Sequence, residues 1–371
     1  MLGASVCVTP LAVAELNQVE TLGQALYFDP NLSQNRTQSC ATCHAPDAGF
    51  VDKRDNRTNG AVSLGDDGQS LGDRNAPTAA YASFSPLFHQ NEDGEYVGGQ
   101  FLDGREKDLA GQAGGPPLNP IEMGMPDAAA VVKRLTENDD YVLAFKQFYG
   151  DDVLNHTDTA YRAMASSIAA FERSAFFAPF DSKYDRYLRG EYKLTAQEDL
   201  GMTLFFSQQF TNCNQCHQLQ SSPAMQQETF TNYTYHNIGT PVNTLVRTMN
   251  GLGNDHIDNG LLDNPTVTDP KQAGKFKVPT LRNVAITGPY MHNGVFKDLR
   301  TVILFYNKYN SRNPKRQINP ETGQAWATPE VTDNISTKEL TSGPALDDQR
   351  IDALIAFLKT LTDKRYEALL K

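Results

Sequence analysis

Apolar positions along this 371-residue chain fall into helical stripes separated by long polar runs. Over 15–28, Leu16, Val19, Leu22, Gly23 and Leu26 recur at helical spacing, and Asp29-Pro30 ends the segment. From 45 to 120 the chain is rich in Gly, Asp, Asn and Pro with little periodicity, and such length without regular elements is usually functional or disordered. Helical pattern returns after Pro126 over 127–137 and again over 139–149. The strongest stripe of the first half spans 157–177, with Tyr161, Met164, Ile168, Phe171 and Ala175 on one face and Pro179 as its stop.

The second half repeats the style. Thr195-Ala196-Gln197-Glu198 has the form of a capping box and leads into Leu200, Leu204 and Phe205. Residues 218–297 are Gly/Asn/Pro-rich connections; Asp298 then stands to cap a helix with Leu299, Val302, Ile303 and Tyr306 on one face. After a polar segment over 309–343, Ile351, Leu354, Ile355, Leu358 and Leu361 form the last stripe. Strand signals are few. The pattern predicts a mainly α fold with long irregular connections, and the length favours two domains. The charged stretch 180–194 divides them into 15–190 and 191–371.

Each half carries one C-x-x-C-H sequence, Cys40-Ala41-Thr42-Cys43-His44 and Cys213-Asn214-Gln215-Cys216-His217, using four of the chain's five cysteines. This is the attachment signal for a c-type haem: two thioethers, with the adjacent histidine placed to bind the iron. A thioredoxin-like dithiol needs no following His and sits in a βαβ context, and zinc-binding pairs normally lie about 15–20 residues apart. Neither fits. Two covalent haems also account for the irregular stretches, because a bulky cofactor substitutes for core.

A net charge of −11 argues against nucleic-acid partners, which want a basic patch, and no run approaches the roughly 18 apolar residues of a membrane span. Leu2–Ala14 ends in an A-x-A-like site but lacks a positive start, and so reads as a signal-peptide remnant or as an unstructured N-terminus. Cys7 lies within it. Covalent haem attachment favours the periplasm.

Several further segments resemble bacterial di-haem cytochrome c peroxidases. In the first half these are Leu26-Tyr27-Phe28-Asp29-Pro30, Arg74-Asn75-Ala76-Pro77-Thr78, Asp103-Gly104-Arg105 and Asn119-Pro120-Ile121-Glu122-Met123. In the second they are Phe276–Val284 and Pro289-Tyr290-Met291-His292-Asn293-Gly294. The resemblance runs in order from about 20 to 362. It implies two cytochrome c-like domains: an N-terminal haem, held by Cys40, Cys43 and His44, that reduces hydrogen peroxide, and a C-terminal haem, held by Cys213, Cys216 and His217, that relays electrons. It makes Glu122 and Gln112, with Pro116 between them, the distal-pocket residues of the first haem. A carboxylate beside an amide can move the proton that O–O cleavage requires. It also implies a calcium ion at Asn75, Thr287 and Pro289, an oxygen set suited to that ion; without the resemblance these residues are ordinary loop chemistry.

Three departures set the branch. No histidine stands between His44 and His89, and the loop that could close the first haem reads Ser63-Leu64-Gly65-Asp66-Asp67; the resemblance therefore implies an open sixth position. Tyr306 occupies the position that usually supplies methionine to the second haem, which resembles MauG-type enzymes that oxidise a protein substrate; Met291 and His292 are the reserve ligands. Leu102 and Thr211 stand where tryptophans are expected, and the single tryptophan is Trp326. The expectation is a periplasmic di-haem oxidoreductase taking electrons from a small cytochrome c, a copper protein or a protein substrate. The alternatives are a plain peroxide-detoxifying peroxidase and, in a different class, a pure di-haem electron carrier.

Overall fold

In the computed structural model, residues 15–219, 226–253 and 255–370 are described; the stretch 1–14 lies outside them. The first half contains α1 (Gln18–Phe28), α2 (Cys40–Cys43), α3 (Leu109–Ala113), α4 (Ala128–Leu135), α5 (Asp139–Tyr149) and α6 (Thr157–Glu172). The second contains α7 (Lys183–Leu188), α8 (Ala196–Phe206), α9 (Thr244–Met249), α10 (Leu299–Asn307), α11 (Thr337–Leu340) and α12 (Asp348–Thr360). Two short antiparallel pairs complete it, β1 (His89–Gln90) with β2 (Tyr96–Val97) and β3 (Tyr235–His236) with β4 (Phe276–Lys277). The protein is mainly helical, as its periodicity predicts.

Side-chain caps set the helix starts. Thr195 and Glu198 form the expected capping box, and Asp298 accepts from the Arg300 N–H. The stripe expected to run to residue 177 stops earlier, at Glu172. There the Arg173 N–H bonds back to Ala169 and the chain turns, so that Phe177 stacks on Phe50 at 4.4 Å and meets Tyr27 edge-on at 5.4 Å. Aromatic packing, not Pro179, ends that helix.

Both halves use one construction. α1 crosses α6 and α8 crosses α12, each at a glycine: a β-carbon on Gly23 would lie 1.9 Å from the Ser167 carbonyl oxygen, and one on Gly201 the same distance from that of Ala353. Only hydrogen fits at either crossing. Replacing Gly201 by Ala would gain about 1 kcal/mol of helix propensity. The overlap is with backbone, which cannot rotate aside, and overpacking of this kind costs about 1–3 kcal/mol or more. Gly201→Ala is therefore expected to lower the thermal unfolding midpoint, measurable by circular dichroism.

Around the first crossing Leu26, Tyr27, Phe145, Ile168 and Phe171 form a core; around the second, Phe205, Phe230, Leu354 and Phe357 do so. Tyr184 of α7 packs with the second core, 5.1 Å from the Phe230 ring, although α7 precedes residue 190. The chain end returns to the first half, where the Tyr366 hydroxyl donates to the Pro46 carbonyl (2.5 Å) and Arg365 to that of Phe176 (2.6 Å).

Candidate functional site

The two C-x-x-C-H sequences have different helical character but the same ending. Cys40–Cys43 is one α-turn and Cys213–Gln215 one tighter 3-10 turn. In each, the histidine N–H closes onto the first cysteine's carbonyl at 2.9 Å. α1 anchors the first through the Tyr27 hydroxyl on the His44 carbonyl (2.9 Å), and α8 the second through the Thr211 hydroxyl on the Leu204 carbonyl (2.6 Å).

Each imidazole is oriented by a phenylalanine carbonyl. His44 Nδ1 lies 3.2 Å from the Phe50 oxygen, and His217 Nδ1 lies 3.2 Å from that of Phe230. A carbonyl only accepts, so Nδ1 carries the hydrogen and Nε2 keeps the lone pair, the form that binds a metal. Burial lowers the pKa of both rings, and it pushes His217 down to about 4. Burial also raises all four thiols, Cys43 to about 11 and Cys216 to about 12. These are not the low-pKa thiolates of a redox dithiol.

A largely apolar cavity of about 360 Å3 lies against the second motif and extends to the first half, with Cys213, His217, Tyr306 and Leu358 on one side and Pro77 and Leu102 on the other. The Tyr306 hydroxyl has no hydrogen-bond partner among the described residues, whereas the neighbouring Tyr309 and Tyr290 donate to the carbonyls of Ile238 and Val284. Burial raises its pKa strongly, with the Cys216 and Cys213 sulfurs adding to the shift. A phenol and a lone-pair imidazole lining one largely apolar cavity are a donor set that suits a planar metal cofactor. The reserve ligand His292 also lines the cavity, where it stacks on Phe276 at 3.7 Å with Nε2 3.9 Å from Glu330 Oε2. Met291 lines the cavity.

At the first motif the arrangement is polar. Gln112 is on α3, and Pro116 and Glu122 follow within tight turns, in which the Pro116 carbonyl accepts from the Asn119 and Met123 N–H groups. Asn119 Nδ2 donates to Glu122 Oε1 at 2.8 Å. Burial raises the Glu122 pKa against the opposing pull of Arg105, and its charge is felt at both Cys40 and Cys43. The 63–67 loop is pinned, since the buried Asp66 carboxylate accepts from Ser33, Thr37 and the Asn35 N–H, and its own N–H donates to the Glu122 carbonyl (2.7 Å). His89 is exposed in the β1–β2 hairpin.

Asn75, Thr287 and Pro289 all line the same cavity. Asn75 Nδ2 donates to the Ala61 carbonyl at 3.0 Å, leaving its oxygen available for a cation. Trp326 lies apart, packed on Phe305 and Phe296.

The sequence matches the family described as "Di-haem cytochrome c peroxidase" over residues 17–193. It is 56% identical over 350 residues to the methylamine utilization protein MauG of Paracoccus denitrificans (strain Pd 1222), covering 94% of this chain and 90% of that protein. This chain belongs to the di-haem cytochrome c peroxidase/MauG family. The cytochrome c peroxidase Ccp of Escherichia coli (strain K12) is 35% identical over 280 residues, 75% of this chain and 50% of that one. The crystal structure of the diheme peroxidase BthA from Burkholderia thailandensis E264 matches with a TM-score of 0.83 at 30% identity, over 97% of this chain and 90% of that chain. A member of this family is a peroxidase-type oxidoreductase with two c-type haems, and the two lone-pair imidazoles fit that pair. No helix among the described residues is long and apolar enough to cross a membrane.

Phe50 and Phe230 were not legible as site residues. They act through backbone carbonyls and stand at unequal spacings after their histidines. Asn119 carried a faint signal, because Asn-Pro favours a turn and that turn aims its amide at Glu122.

Proposed function

We propose that this protein reduces hydrogen peroxide at the Cys40/Cys43/His44 haem and passes the oxidising equivalents, through the Cys213/Cys216/His217 haem, to a protein side chain in the periplasm, as MauG-type enzymes do. The unequal surroundings of the two histidines carry this reading. The haem supplies electrons and an iron site for oxygen; the protein supplies proton handling at the first site and a ligand at the second. Glu122, held by Asn119 in a half-buried site, accepts the proton of the inner peroxide oxygen and delivers it to the outer one. Gln112 orients the peroxide by hydrogen bonding, and Pro116 shapes the turn between them.

At the second site Tyr306 and His217 would hold the haem iron, and a phenolate oxygen would favour its oxidised states. Asn75, Thr287 and Pro289 would hold a calcium ion beside the cavity through oxygen ligands. The name of the Paracoccus relative refers to methylamine utilization; here Leu102 and Thr211 make a tryptophan route of the MauG kind inapplicable, so the substrate is assigned only as a protein side chain.

Tyr306→Phe removes one oxygen and keeps the ring. The expected result is a changed low-spin signal in ferric electron paramagnetic resonance, with the high-spin signal of the first site retained. An unchanged low-spin signal would assign the ligand elsewhere. Negligible steady-state turnover with reduced cytochrome c is expected alongside; fast turnover would instead favour a peroxide-detoxifying peroxidase.

A further inference from the structure

Where the two halves meet, one tyrosine has a proton acceptor built for it. Tyr81 is 1% exposed, lines the largely apolar cavity and donates its hydroxyl to Asp363 Oδ1 at 2.5 Å. Asp363 is fully buried and clasped by Asn283, whose Nδ2 donates to Oδ2 (2.9 Å) and whose Oδ1 accepts the Asp363 N–H (2.8 Å). A short bond from a buried phenol to a carboxylate that is fixed on its other side is a costly arrangement for a residue serving only as filler.

Tyr81 also lies on a continuous path between the two histidines. The Phe50 carbonyl that orients His44 accepts the Ala79 N–H at 3.2 Å, two residues before Tyr81. From the Tyr81 ring the Arg282 guanidinium is 5.3 Å away, and the same guanidinium is 5.3 Å from the ring of Phe230. The Phe230 carbonyl orients His217. No tryptophan bridges the halves, because Leu102 lines the cavity and Trp326 packs against Phe305.

We infer that Tyr81, with Asp363 as its proton acceptor, is a redox relay between the two haem sites. This rests on the reading of the His44 site as the place where peroxide is reduced. The oxidising equivalent produced by peroxide reduction takes one electron from the Tyr81 phenol. The O–H bond breaks and its proton moves to Asp363 Oδ1, leaving a neutral phenoxyl radical and a neutral carboxyl. An electron from the His217 side and the proton returned by Asp363 restore the phenol. Proton loss accompanies electron loss because an oxidised phenol is far more acidic than the phenol itself and its O–H is already directed at the Asp363 carboxylate. Burial raises the Asp363 carboxyl to about 6, so it is ionised at neutral pH yet a better base than an ordinary carboxylate.

The test is freeze-quench electron paramagnetic resonance of the haem-loaded protein after mixing with hydrogen peroxide, with peroxide loss followed in parallel. In the parent protein an organic radical is expected whose hyperfine splitting collapses when the tyrosine rings are deuterated. Tyr81→Phe, which removes only the hydroxyl, and Asp363→Asn, which keeps the phenol but removes the acceptor, should each lose that signal while the first equivalent of peroxide is still consumed. An undiminished tyrosine radical in folded Tyr81→Phe overturns the inference, as does peroxide consumption by the parent without any tyrosine radical. The labelled parent decides the matter even if a variant fails to fold. Failure of the parent to consume peroxide removes the oxidant, and with it both this inference and the function on which it rests.

Discussion

Glu122→Gln is expected to slow peroxide cleavage by about 10²- to 10⁴-fold, the range for losing a positioned general acid–base group. The substitution is close to isosteric, and the side-chain oxygen can still accept from Asn119. What disappears is the ability to take up and return a proton. Burial raises the Glu122 pKa, with Asp73 adding to it and Arg105 and the Asn119 hydrogen bond opposing. The carboxylate must be ionised to accept the peroxide proton, so the parent rate should climb with pH through a limb above the ordinary carboxylate range. That limb should be absent from the variant. Stopped-flow measurement of peroxide reaction against pH checks both parts. A variant with the parent's rate and the parent's limb would place the proton carrier elsewhere in the pocket.

How much of this could be read beforehand varies with the kind of interaction. The helices around α5, α8, α10 and α12 follow from local periodicity and capping residues such as Thr195 and Asp298, and local rules predict them closely. The C-x-x-C-H sequences declare their chemistry because the cysteines and histidine are contiguous. By contrast, α6 ends at Glu172 because Phe177 packs on Phe50, a residue far away in the chain, and periodicity carries no such information. The short helices α3, α7 and α9 carry too few residues for a stripe to emerge. Glu122 looks like an ordinary surface polar residue until the turns after Pro116 bring its carboxylate within electrostatic reach of Cys40 and Cys43. The device that orients both histidines is a backbone carbonyl, which every residue possesses, so side-chain identity does not mark it.

Asp185→Asn should cost about 3–5 kcal/mol of unfolding free energy, the usual penalty for stripping a buried charge of its partner. Arg282 is fully buried and forms a two-pronged pair with Asp185, Nη1 to Oδ2 at 2.6 Å and Nη2 to Oδ1 at 2.9 Å. Its Nε donates to the Glu228 carbonyl at 2.8 Å. Rings of Phe180, Tyr81 and Phe230 surround the guanidinium at 4.9–5.3 Å, so water cannot replace the lost carboxylate. The amide of Asn would also present an N–H to a cation. Because α7 carries Asp185, its hold on the second core should loosen with the same change. Replacing both charges by apolar residues, Arg282→Met with Asp185→Leu, removes the desolvation problem together with the attraction and should cost less than the two single changes summed. Urea titration of haem-loaded Asp185→Asn, of the two apolar single variants and of the double variant separates these outcomes. A loss under about 1 kcal/mol for Asp185→Asn would match an exposed pair and would mean that solvent reaches the guanidinium, in which case the surroundings ascribed to Tyr81 would have to be redrawn as well.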